Sequence, residues 1–145
     1  MRNVSTICLA VVLLAGCGKP EPLRITDVWI RETPPGRTVT AAFMRIENLT
    51  DANLAVVRIE SAVSDTVELH TMAYEGEMMV MKQVDHIPVP ARGTVNLAPG
   101  GLHVMLFGVK RSLVEGDSVS LVAHLSDGIA LPVTAHIKSF ASMRN

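Results

Sequence analysis

The chain has 145 residues, 48% of them hydrophobic and 19% charged, with ten glycines and eight prolines. That is one domain's length, and it is too apolar for a disordered tail. A formal net charge of −1 without a basic block excludes a nucleic-acid binder that works by neutralising phosphates, and eight methionines against five aromatic residues (Trp29, Phe43, Tyr74, Phe107, Phe140) ask for a reason.

Residues 1–16 read as a signal segment. Arg2 gives the positive start, and residues 7–14 form an apolar stretch too short to span a bilayer. The segment closes on Leu14-Ala15-Gly16-Cys17, which resembles the bacterial lipobox, so Cys17 is expected to carry lipid. Residues 17–23 then form a tether, residues 24–140 the domain and residues 141–145 a short tail. Cys8 leaves with the signal and Cys17 is consumed by lipid, so the exported domain holds no thiol and no disulfide. Its stability rests on its core, and any metal site in it must be built without thiolate.

From residue 24 the chain reads as short strands separated by turn residues: 24–31, 38–48, 53–61, 66–72, 78–84, 93–97, 103–109, 118–125 and 129–137. The first alternates Ile25, Asp27 and Trp29 against Thr26, Val28 and Ile30. Residues 86–90 (His-Ile-Pro-Val-Pro) read as loop, and residues 113–117 as a turn. No window carries a sustained helical period with caps. Eight or nine strands without a helix argue an all-β, single-domain Greek-key β-sandwich or small barrel.

Five histidines divide by their neighbours. His124 and His136 oppose the apolar face of their strands and are expected at the surface, and His86 falls in the loop. His70 and His103 each sit beside methionine. In His103-Val104-Met105, residues i and i+2 share a face, so imidazole and thioether can converge; His70-Thr71-Met72 and Met79-Val80-Met81 repeat the pattern. A hairpin centred on Glu75-Gly76 would set Met81 across from His70 and Met79 across from Met72, gathering one imidazole and three thioethers on one face. Soft neutral donors of this kind favour Cu(I) over Zn(II), Mg(II) or Ca(II). A blue-copper centre needs a cysteine ligand, which the mature domain lacks. Against metal binding stands the reading of Met72, Met78, Met79 and Met81 as irregular core or adaptable surface.

His70, ten residues, Met81, twenty-one residues, His103, one residue, Met105 resembles the signature of the periplasmic copper(I) chaperones called PCuAC. The resemblance extends through Val67-Glu68-Leu69-His70-Thr71-Met72 and through Leu97-Ala98-Pro99-Gly100-Gly101-Leu102-His103-Val104-Met105-Leu106, and runs from about Trp29 to Val133. It implies a cupredoxin-like β-sandwich binding one Cu(I) per chain through His70, Met81, His103 and Met105, with Met72 and Met79 as auxiliary sulfurs. It implies delivery of copper to cytochrome c oxidase, notably the CuA centre, directly or through a thiol-containing assembly factor. The protein is then expected to be a monomer, lipid-anchored through Cys17 at the periplasmic face of a bacterial membrane. Some relatives carry a His/Met-rich tail; residues 139–145 here do not resemble one, so a second copper is not expected.

Two other readings compete: a lipoprotein that sequesters copper for tolerance, and a metal-free structural or interaction lipoprotein. Enzymatic chemistry gains no support. Two thioethers argue against a copper oxidoreductase, no Gly-x-Ser-x-Gly is present, and His124-Leu125-Ser126-Asp127 is too local to form a triad.

Overall fold

All nine expected strands are present in the computed structural model, which describes residues 21–144, and a tenth joins them. They are β1 (Leu23–Arg31), β2 (Val39–Asn48), β3 (Leu54–Ser61), β4 (Thr66–Glu75), β5 (Met78–Gln83), β6 (Ile87–Val89), β7 (Thr94–Leu97), β8 (His103–Phe107), β9 (Ser118–Leu125) and β10 (Ala130–Lys138), followed by a 3₁₀ turn over Ser142–Arg144. The signal segment, Cys17 and residues 17–20 of the expected tether lie outside the described residues. Leu23, assigned to the tether from sequence, is instead the first residue of β1 and fully buried.

The strands hydrogen-bond in the order β5-β4-β8-β2-β1-β10-β9-β3-β6, with β7 also pairing β2. The sandwich is therefore not two separate sheets: a parallel pairing of β1 with β10 joins the halves into one continuous path. One buried cluster draws on both halves, including Ile30, Ala42, Met44, Leu69, Val104 and Leu106 from one and Ile59, Leu121, Ala123 and Leu131 from the other. The sheet must fold over on itself to do this, which puts the inward face of every strand but β5 into a single core.

β6 and β1 each depart from the sequence expectation. Residues 86–90, with Pro88 and Pro90, read as loop from sequence, but residues 87–89 form β6. It is the last strand on the path and pairs only with β3, a place where proline is tolerated, and Ile87 and Val89 are fully buried. In β1 the simple alternation fails at a bulge between Thr26 and Trp29, where Asp27 adopts φ 52°. The extra residue flips the pattern: Leu23 and Ile25 face the core before it, Val28 and Ile30 after it. Trp29 is thereby turned to the outer face, opposite Phe43.

The β4–β5 hairpin turns one residue later than expected. Its loop is Gly76-Glu77, with Gly76 at φ 63° in the first central position, the arrangement of a type II′ turn. The register therefore pairs Met72 with Met81 and Tyr74 with Met79, and places Gln83 rather than Met81 opposite His70. Because the slip is two residues along one strand, each side chain keeps its face. Met72 and Met81 still share a surface with His70, on a diagonal instead of head-on.

Candidate metal centre

β4 and β8 are antiparallel neighbours whose register sets His70 directly opposite His103, with Leu69 and Val104 paired on the reverse side. Leu69, Val104, Leu106 and Ala42 are buried in the core, so the strands carrying the histidines are fixed from behind. Burial of a side chain the size of Leu or Val stabilises by about 1.5–3 kcal/mol. On the outer face both imidazoles are themselves nearly enclosed, at 7% and 6% exposure. Their rings lie 5.8 Å apart, flanked by Phe107 at 6.2 Å from His70 and Phe43 at 6.4 Å from His103. Phe43 is in turn covered by Trp29 at 4.4 Å, which the β1 bulge put there.

The hydrogen bonds fix what each ring offers. His103 Nδ1–H donates to the Gly101 carbonyl at 2.8 Å. A carbonyl can only accept, so in the neutral ring Nε2 carries the lone pair. That nitrogen lies 3.1 Å from the Met81 sulfur. A thioether has no proton to give, so two lone pairs face one another, an arrangement that calls for a shared cation. His70 Nε2–H donates to the Glu68 carboxylate at 2.8 Å, while its Nδ1 is buried and has no hydrogen-bond partner among the described residues.

The four residues expected as ligands thus fall on one face of three neighbouring strands, β5-β4-β8. His103 and Met81 are in direct contact and His70 stands beside them. Met105 lies one pleat along from His103, paired with Glu68 on one side and Ala41 on the other. Met72 is directly across from Met81 and half-buried. Met79 sits one step nearer the hairpin tip and is 48% exposed, against 47% for Met81. β5 contributes nothing to the core, so it overhangs the histidines as an exposed, sulfur-bearing edge.

Among the described residues, no group of three or more His, Cys, Asp or Glu comes together at metal-binding distance. What the fold assembles is a nitrogen–thioether set, suited to a soft monovalent ion. The other histidines are at the surface, as expected. His86 is exposed, His136 meets Ser118 Oγ at 3.3 Å, and His124 pairs with Glu60 at 2.9 Å. His124 Nε2 is taken up by Glu60, while Ser126 Oγ accepts from the Ala55 amide. Sequence reading passed over Glu68 and the Gly101 carbonyl as orienting groups. A carboxylate two residues before His70, on the same strand face, was the available signal.

Residues 23–137 match the family described as LpqE-like lipoproteins. A protein of Leifsonia xyli subsp. xyli named as a lipoprotein, Lxx21020, is 28% identical over 154 aligned positions, covering 97% of this chain and 92% of that protein. Among solved structures, the copper-bound PCuAC domain from PmoF2 is similar with a TM-score of 0.71 and 21% identity, over 82% of this chain and 94% of that one. The Cu(I) form of DR1885 from Deinococcus radiodurans is similar with a TM-score of 0.66 and 33% identity, over 86% and 85% of the two chains. The fold is the all-β, cupredoxin-like architecture of PCuAC domains.

Proposed function

Since the chain belongs to the LpqE-like lipoprotein family and has the PCuAC fold, we propose that it is a copper chaperone. In this reading it carries one Cu(I) on His70, Met81, His103 and Met105 and passes it to an acceptor protein. The observation that carries this is the 3.1 Å approach of the His103 Nε2 lone pair to the Met81 thioether, beside the unpartnered Nδ1 of His70. DR1885, a relative at 33% identity, has a solved Cu(I) form, which supports the same ion.

The uneven burial of the donors suits transfer. The histidines sit on core-backed strands and keep their geometry, while Met81 lies on the exposed edge strand. An incoming thiolate can displace Met81 first, and the ion then moves between ligands without entering water. Thioethers keep their lone pairs in acid, so Met81 and Met105 remain donors where protonated imidazoles do not. The proposed setting is the periplasmic face of a membrane, with lipid on Cys17. The proposed acceptor is the CuA centre of cytochrome c oxidase or a thiol-containing assembly factor that serves it.

Transfer is tested by mixing the Cu(I)-loaded domain anaerobically with a soluble dithiol copper-site domain, and following copper in each after rapid separation. Chaperone action gives transfer faster than spontaneous release into a chelator. Transfer no faster than that release would leave a storage protein.

A further inference from the structure

The geometry points to Glu68 as a positioning residue that makes His70 present Nδ1 to the metal, the opposite ring nitrogen from the Nε2 that His103 presents. The inference rests on the copper reading above and deepens it. Glu68 stands two residues before His70 on the same face of β4 and accepts a 2.8 Å hydrogen bond from His70 Nε2–H. An ionised carboxylate cannot donate, so it holds the proton on Nε2 and leaves Nδ1 with the lone pair. That Nδ1 is the buried atom without a partner. His103 is held the other way round, with Nδ1–H on the Gly101 carbonyl and Nε2 facing Met81.

Strand order explains why opposite nitrogens serve. Met81 and His103 stand on β5 and β8, the strands flanking β4, and meet across it. Strands are about 4.8 Å apart, so His103 must reach sideways over a neighbour and needs its distal nitrogen. His70 is on the strand beneath that meeting point, where the nitrogen nearer the backbone has the right reach. Glu68 also pairs across the strands with Met105. Its carboxylate therefore sits between two of the four proposed ligands and offsets the charge of a cation held by neutral donors.

Ring-nitrogen NMR of the metal-free domain at mildly alkaline pH reads the tautomers directly, with no metal needed. The wild type is expected to show Nε2–H at His70 and Nδ1–H at His103. Glu68→Ala should leave His70 as a tautomer mixture, and Glu68→Gln, whose amide carbonyl still accepts, should restore the single form. Cu(I) affinity should fall by about 10–100-fold in Glu68→Ala and by much less in Glu68→Gln. Nδ1–H at His70 in the wild type, or an unchanged tautomer in Glu68→Ala, overturns the inference. With Cu(I) added, the ¹⁵N shift should move at Nδ1 of His70 and at Nε2 of His103. Movement at Nε2 of His70 overturns the inference while the copper reading stands. Silence at both rings removes the copper reading, and the metal half of the inference with it.

Discussion

Asn48 and Met81 mark two different demands on single residues. Asn48 is 1% exposed, yet all its hydrogen-bonding capacity is used: Nδ2 donates to the Ala52 and Val89 carbonyls, and Oδ1 accepts from the Thr50 amide and hydroxyl. It ties β6 to the end of β2, far along the sheet from the histidines. Asn48→Ala strands several of those groups, and unfolding in urea should show a loss of about 1–3 kcal/mol with Cu(I) affinity unchanged. Met81 is half-exposed and supports little packing, so Met81→Ala should leave the urea midpoint nearly unmoved. It should weaken Cu(I) binding by about tenfold or more, about 1.4 kcal/mol. Met79→Ala, one step further along the edge strand, should do much less. Equal losses from the two methionines would mean that the hairpin sulfurs act as an unspecific cluster.

At the scale of elements, the β4–β5 hairpin decides whether the thioether reaches the imidazoles. Gly76 turns it at φ 63° with open space where a Cβ would sit, so Gly76→Ala meets no clash and costs only the strain of a side chain at positive φ, about 1–3 kcal/mol. Because β5 is outside the core, that cost should appear as faster amide exchange in β5 and weaker copper retention, not as global unfolding. Uniform loss of protection across all strands would contradict this. The hairpin also marks how far the sequence could be read. Period-two patterns located nine strands and the shared face of His70, Met72, Met79 and Met81. They could not choose between turns at Glu75-Gly76 and Gly76-Glu77, because both registers preserve the faces and only turn geometry separates them. β6 was missed because Pro88 speaks against a strand unless its edge position is known, and that is a fact of the whole sheet. Simple alternation groups Trp29 with Ile25, and the bulge that separates their faces leaves no mark in the sequence until the partner strand is seen.

For the whole molecule, the continuous sheet gives a core with no disulfide or α-helix among the described residues, and exposed carboxyls at its surface add a pH-dependent part to its stability. The Asp51, Glu60, Glu115 and Asp117 carboxyls are held below their ordinary range, chiefly by hydrogen bonds from Arg92, His124, the Ser139 and Ser142 hydroxyls, and Arg111 respectively. A carboxyl depressed in the folded state stabilises above its unfolded pKa, and that contribution is lost as pH falls through the folded one. Stability should therefore decline as pH drops below about 4, modestly because these pairs are solvent-exposed and screened. Thermal unfolding across pH, at low and high salt, checks this; stability that rises on acidification would contradict the sign. The site was legible at this scale only as a spacing. Sequence could put His70 with Met81 on one face and His103 with Met105 on another strand, but the contact between His103 and Met81 depends on β5 and β8 flanking β4.

If the His103–Met81 contact belongs to a Cu(I) site, anaerobic titration of the domain against a chromophoric Cu(I) chelator will show it, with His103→Ala/Met105→Ala as the comparison. The expected result is one Cu(I) withheld from the chelator per chain, with the double variant withholding little or none while remaining folded. No competition by the wild type, or equal competition by both, would contradict it.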